Sequence, residues 1–313
     1  MPQYTFTVSE EEERERLDAL LGKHIPEHSR SFLSQLIRGG SVTVNGTEQK
    51  ASYRTRKNDI LQVTVPEKST PDILPEEIAL DILYEDEDIL IVNKPKGMVV
   101  HPAAGHAAGT LVNAVMAHCR GSLSGINGVL RPGIVHRIDK DTTGSVIVCK
   151  NDAAHRSIAD QLREHSLTRR YYAIVYGTIP EDNLTIHRRI GRDPKDRKKM
   201  AVVPPTAGKD AITHVHVLER FRNFTYVECR LETGRTHQIR VHMASAGHPV
   251  LGDSVYAGAR RSPFRELQGQ TLHAGILGFR HPVSGEYIET QAPLPAYFEE
   301  LLRKLRAEKL RAQ

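Results

Sequence analysis

Cysteine is scarce in this chain of 313 residues: Cys119, Cys149 and Cys229 are odd in number and far apart. Neither a disulfide framework nor a CxxC metal site can be built from them, and a reducing cytoplasm is the expected setting. Long apolar runs are also missing. None approaches the roughly 18 residues of a membrane span, and the start, MPQYTFTVSEEEERERLDALL, lacks a signal peptide's apolar core. The Gly- and Ala-rich stretch NKPKGMVVHPAAGHAAGTLVNA carries Lys94 and Lys96 but not the GxxxxGKS order of a phosphate loop, which argues against ATP. Paired zinc-binding histidines are not found either. His237 and His242 are five residues apart, about 140° around a helix, where zincin helices space theirs at i and i+4.

What remains is an ordinary globular composition with a basic tilt. Hydrophobic residues make up 39%, enough for a core, and 43 Lys and Arg against 38 Asp and Glu give a net charge of +5. That bias favours a polyanionic partner. The length suits a small domain joined to a larger one.

In the first segment, Leu17, Leu20 and Leu21 share a helical face closed by Pro26. A second helix, capped by Ser29 or Ser31, carries Phe32, Leu33, Leu36 and Ile37 and stops at Gly39-Gly40. Val42 to Val44 form a strand turned by Asn45-Gly46. Three prolines between about Pro66 and Glu76 mark a linker. The division expected is 1–70, a linker at 71–76, and 77–313. Beyond it the pattern predicts strands in DILIVNKP, SVIVCK, YYAIVYG, THVHVLERF and FTYVECRLE. Helices are predicted in DAAHRSIADQLREH, in THQIRVHMASAGHP with Thr236 as cap, and in AYFEELLRKLRAEKLRAQ. The larger part reads as one mixed α+β domain.

Four constellations can carry chemistry. In GIVHRIDKDTTGSVIVCKND, Asp139 stands among cations at the mouth of a strand. It is either a turn cap or a carboxylate kept ionised by Arg137 or a more distant cation, able to act as nucleophile or base. In LETGRTHQIRVHMASAGHPVLGD, Arg240 sits early in a helix, against the helix dipole, with Ile239 and Met243 on the core side. Such an arginine makes sense facing a carboxylate. In TRRYYAIVYG, alternation sends one of Tyr171 and Tyr172 inward, either to pack or to stack a flat base. Residues 188–199 hold seven Lys or Arg against two Asp, the composition of a basic hairpin that reaches phosphates.

These motifs together resemble the RluA-type RNA pseudouridine synthases, of the kind that act on large-subunit ribosomal RNA. The likeness rests on GIVHRIDKDTTGSVIVCKND, RRYYAIVYG, RDPKDRKKM and TGRTHQIRVHMASAGHPVLGD, and covers essentially the whole chain. The first segment is similar to the S4 RNA-binding module. The resemblance implies a mixed, mainly antiparallel catalytic sheet with flanking helices and a small α/β module before it. It implies Asp139 as the catalytic aspartate, Tyr171 as the active-site tyrosine, and Arg240 as the partner of Asp139. It also implies RNA binding by Arg137, by Arg30 and Arg38 of the second helix, and by Arg192, Lys195, Arg197, Lys198 and Lys199. Ile138 stands where the family usually has Leu, a near-isosteric change. The expected protein is a cytoplasmic monomer without cofactor, metal or membrane, acting on ribosomal RNA. A transfer RNA enzyme of the same family, a non-catalytic assembly factor and a hydrolase using His136 and Asp139 are the rival readings.

Overall fold

The computed structural model describes residues 3–26, 30–65, 73–103, 105–126, 131–196 and 199–312. They fall into two units, Met1–Pro71 and Asp72–Gln313.

The smaller unit runs β1 (Gln3–Thr7), α1 (Leu17–His24), α2 (Arg30–Arg38), β2 (Val42–Val44), β3 (Thr47–Glu48) and β4 (Ile60–Thr64). Its sheet has the order β1-β4-β2-β3 with antiparallel pairing throughout. Leucines of both helices close over Val42, Val44, Leu61 and Val63. Asn45 and Gly46 both take positive φ, 51° and 75°, as a two-residue hairpin turn requires. Ser29 and the side chain of Ser31, expected as caps of α2, lie outside the described residues.

The larger unit contains β5 (Ile82–Glu85), β6 (Ile89–Lys94), α3 (Leu111–Cys119), β7 (Thr143–Cys149), α4 (Asp152–Arg163) and β8 (Thr168–Tyr176). It continues through β9 (Asn183–His187), β10 (Ile190–Arg192), β11 (Met200–Val202), β12 (Ile212–Arg220), β13 (Phe224–Leu231), α5 (Gln238–Ser245), β14 (Leu272–Arg280), β15 (Tyr287–Gln291) and α6 (Ala296–Ala312). Nine strands form one sheet in the order β5-β6-β7-β14-β8-β13-β12-β9, with β15 also on β14. Among the described residues only β7 and β14 pair in parallel. The fold is therefore mixed α+β with a mainly antiparallel sheet.

Period-two alternation gives this sheet two buried faces. Along β8, Tyr171, Ala173 and Val175 enter the core that also holds α3 and Ile239 and Met243 of α5. Ile174 and Tyr176 point the other way, against Phe298, Leu301, Leu302 and Leu305 of α6. That spacing is one face of a helix.

One local expectation needs revision, and two elements are additions to the sequence reading. Thr236 does not cap α5: the preceding residue is His237, in the left-handed region at φ 57°, with no side-chain cap bond. The turn is held instead by the Gln238 carboxamide, which accepts from Thr233 Oγ1 at 2.8 Å and from the Arg235 N–H at 2.9 Å. The Gly- and Ala-rich stretch ends in a true helix, α3, where the Thr110 hydroxyl and Asn113 form a capping box. The central strand β14, buried along almost its whole length, was not anticipated. Of the segment 71–76, residues 71 and 72 lie outside the described residues. Ile73 is already buried in the larger unit's core, and Glu76 accepts from the Gly109 N–H.

The parallel pair makes a close approach that only glycine allows. Gly144 has φ 107°, and a Cβ there would overlap the Ala274 carbonyl oxygen and lie 2.8 Å from the Ala274 nitrogen. Gly247 also has positive φ, 90°, but open space around it. Gly247→Ala should therefore cost only the left-handed strain, about 1–2 kcal/mol. Gly144→Ala should cost that plus overpacking of about 1–3 kcal/mol. Urea unfolding of the two full-length variants measures the difference, and equal losses would refute the close packing of β7 on β14.

Candidate active site

The segment from His136 to Asp141 leads into β7, and its backbone is gripped from below. Lys94 is fully buried, and its ammonium donates to the carbonyls of Pro95 and Met98, both at 2.8 Å, and of Lys140 at 3.0 Å. Burial pushes this lysine down to about 7, yet three carbonyl acceptors need all three of its protons, so the charged form fits the site. The Gly97 N–H also donates to the Lys140 carbonyl. Two histidines of the same loop take hydrogen bonds from the cations flanking Asp139: His101 Nε2 from Arg137 at 3.1 Å, and His106 Nε2 from Lys140 at 3.0 Å.

Asp139 meets Arg240, whose Nη1 donates to Asp139 Oδ2 at 2.9 Å. The remaining edge of the same guanidinium is bound in a fork by Asp253, with Nε at 2.6 Å and Nη2 at 2.9 Å. Asp253 is buried and also accepts from the Val255 and Tyr256 N–H groups. Burial works against the Arg240 charge, but the two carboxylates outweigh it and raise its pKa. The Tyr256 ring lies under the guanidinium, 5.1 Å away.

His237 completes the group. Its Nε2 is 3.7 Å from Asp139 Oδ1, and its Nδ1 is 2.8 Å from the Tyr256 hydroxyl, which accepts from the Met200 N–H. Desolvation lowers the His237 pKa, with Asp139 opposing and Arg240 assisting. His242 points elsewhere, to Thr213 and the Arg188 carbonyl.

A cavity of about 560 Å³ opens beside Asp139, lined by Arg137, Arg169, Tyr171, Arg235, His237 and Arg240 among others. Tyr171 is 8% exposed and faces this space. Burial keeps its phenol protonated, with Arg169 opposing. Tyr172 turns to the opposite core beside Tyr226. His136, at the wall, accepts the Ile147 N–H on Nε2 at 3.0 Å, so it is neutral with its proton on Nδ1. Desolvation, assisted by Arg169, pushes its pKa from 6.5 to about 3.

The expected RNA-binding residues are dispersed. Arg137 is exposed at the cavity. The run 188–199 includes an antiparallel hairpin of β10 and β11, with Arg192, Lys195 and Lys199 described near its tip. Arg197, Lys198 and the side chain of Arg30 lie outside the described residues, and Arg38 is exposed on α2 of the smaller unit. Among the described residues one trio has metal-ligand spacing, Asp86, Asp88 and His281. There His281 Nδ1 accepts from the N–H groups of Val283 and Ser284, so Nε2 carries the proton and gives it to Asp86 at 2.9 Å. In this arrangement the protonated Nε2 has no lone pair to offer a metal, and the Nδ1 lone pair is already engaged. Sequence reasoning named Asp139, Tyr171 and Arg240 but gave no role to Asp253, His237, Tyr256 or Arg169. Asp253 had a signal, since Gly247 and Pro249 turn the chain back after α5, and a buried arginine needs more than one acceptor.

Residues 88–245 match the family model for RNA pseudouridylate synthase, and residues 15–61 that for the S4 domain. An uncharacterised RNA pseudouridine synthase of Bacillus subtilis (strain 168) is 55% identical, covering 98% of this chain and 99% of the relative. A ribosomal large subunit pseudouridine synthase D of Zymomonas mobilis is 44% identical over 97% of this chain and 98% of its own. Among solved structures, human RNA pseudouridylate synthase domain containing 1 has a TM-score of 0.56 at 26% identity, covering 74% of this chain and 96% of that one.

Asp253→Asn removes one arm of the fork around a buried guanidinium, and urea unfolding should show a loss of about 3 kcal/mol; a loss below a few tenths would mean the pair is not needed. Two neutral histidines set an acid limit. Because the folded His136 pKa lies below 6.5, the unfolded chain binds more protons between pH 6.5 and about 3. Its contribution is full above pH 6.5 and is lost as pH falls. His101, pushed down to about 4 by burial and then by Arg137, acts in the same direction. His136→Gln keeps an acceptor for Ile147 but cannot titrate, so its melting temperature should fall less than the wild type's between pH 7 and pH 5. Parallel curves would refute a neutral His136.

Proposed function

The chain belongs to the RNA pseudouridylate synthase family, and from that premise we propose that it isomerises uridines of large-subunit ribosomal RNA with Asp139 as the carboxylate at the sugar. The observation that carries this reading is Asp139 held by Arg240 at a cavity whose wall includes Tyr171. The ribosomal substrate is supported by relatives named ribosomal large subunit pseudouridine synthase D, at 42–45% identity over most of this chain.

The product is an isomer of the substrate, so the reaction balances without oxidant, reductant or second substrate. The N1–C1′ bond breaks, the uracil turns, C5 joins C1′, and the proton lost from C5 is balanced by one gained at N1. Asp139 either bonds to C1′ or removes a sugar proton, and in both routes its negative charge passes to the departing uracil. Arg240 aims the carboxylate and matches its charge. The Tyr171 ring stacks the base, and its neutral phenol lies close to the proton that must leave. The target must first leave its helical stack, at a cost of a few kcal/mol that is least in loops. The S4 segment and the basic hairpin supply phosphate contacts to offset it.

Asp139→Asn should abolish tritium release from C5-labelled uridine in a large-subunit ribosomal transcript while leaving RNA affinity within about threefold. Turnover by the variant would remove Asp139 from its role. Pseudouridine mapping in cells lacking the gene separates substrates: lost sites in transfer RNA, with ribosomal RNA unchanged, would favour the transfer RNA reading.

A further inference from the structure

The cavity beside Asp139 contains a cation that the mechanism above does not use. Arg169 is 6% exposed and lines the cavity wall. Its Nη2 donates to the Glu232 carbonyl at 2.9 Å, and its Nε is buried without a partner. No carboxylate among the described residues forms an ion pair with it. The adjacent Arg170, on the other face of β8, shows the contrast, with Glu228 at 3.9 Å and Glu289 at 3.6 Å. The groups around Arg169 do not neutralise it, for Tyr171 and His136 are uncharged and Arg235 is a second cation. Space is reserved for it as well. A side chain at Gly234 would place its Cβ 2.7 Å from Arg169 Nη1.

We propose that the Arg169 guanidinium binds the uracil ring of the target and stabilises the negative charge the ring acquires when its bond to the sugar breaks. This rests on the isomerase reading above. Arg169 and Tyr171 are two residues apart on the same face of one strand, about 6.6 Å along it, a span that a uracil ring bridges. When N1–C1′ cleaves, the electron pair stays on N1 and is shared with O2 and O4. The charge leaves Asp139, where Arg240 had stabilised it, so Arg240 alone favours the state before cleavage. A desolvated cation at the uracil end reverses that bias and needs no rearrangement to act. An unpaired buried cation is costly in the free protein, and an anion formed in the cavity is its missing partner.

The test compares wild type, Arg169→Met and Arg169→Lys in single turnover at saturating RNA, using a large-subunit ribosomal transcript tritiated at uridine C5. R169M should lose about 10²–10³-fold in rate with its RNA dissociation constant changed less than about threefold, and R169K should recover most of the loss. A second transcript carries 6-azauridine tritiated at C5, in which a ring nitrogen replaces C6–H and makes the base a better anion at the same size. On it the R169M deficit should shrink by about tenfold or more. The R169M melting temperature should equal or exceed the wild type's, whereas loss of a merely structural arginine would lower it. No release by the wild type from the ribosomal transcript or from a transfer RNA pool would overturn the isomerase reading and this inference together. Wild-type release matched by R169M, an unchanged deficit with 6-azauridine, or a loss confined to RNA affinity would overturn this inference alone.

Discussion

A single guanidinium shared by two carboxylates organises the candidate active site. Arg240 has five N–H donors in a rigid plane. Asp253 takes the edge formed by Nε and Nη2, which fixes the plane and leaves Nη1 directed at Asp139. The arginine is nearly buried, as is Asp253, so neither charge tolerates removal of its partner. Residues 101 positions apart in the chain are thereby held at hydrogen-bond distance. The fork also explains an arginine in the first turn of α5, where the helix dipole opposes it. Two nearby anions outweigh a partial charge worth at most ~2 kcal/mol.

That geometry has meaning only if the backbone carrying Asp139 is equally fixed. The strand pair beneath it supplies this, through the Gly144 contact with Ala274 and the Thr143 hydroxyl bonded to His273 at 2.8 Å. Lys94 also ties the Lys140 carbonyl to the loop that follows β6. The two cations that flank Asp139 in the chain, Arg137 and Lys140, are held by histidines. A carboxylate there would compete with Asp139 for Arg240 and for Arg137, whereas a neutral imidazole orients a cation and leaves its charge available.

How much of this was legible in the sequence follows from the range of the interactions. Local patterns were readable: the leucine face of α1, the Asn45-Gly46 turn, the alternation that divides Tyr171 from Tyr172, and the turn ahead of β7. The motif resemblance named Asp139 and Arg240 as partners, and their contact is in the fold. β14 was overlooked because it is buried on both faces, so it shows neither period two nor flanking polarity. α3 was hidden by the Gly- and Ala-rich approach to it, although Thr110 and Asn113 are a readable cap. Thr236 looked like a cap by residue type, but the chain enters α5 through His237 in the left-handed region, and Gln238 does the capping from inside. Arg169 could not be read locally at all, since what singles it out is a partner it lacks, and Asp253 had only the indirect signal of the turn after α5.

The two buried arginines of the cavity differ in that respect, and the difference has a direction. Arg240 is matched by two carboxylates, Asp139 and Asp253. Arg169 has a carbonyl and no anion. Tyr171, an uncharged ring kept so by burial, lines the same cavity. A site built to bind a neutral base tightly would have no use for this imbalance, which costs stability before any ligand arrives. A site through which one negative charge must move, from a carboxylate to a ring, requires it, because a field symmetric about the base would favour neither bond breaking nor rejoining.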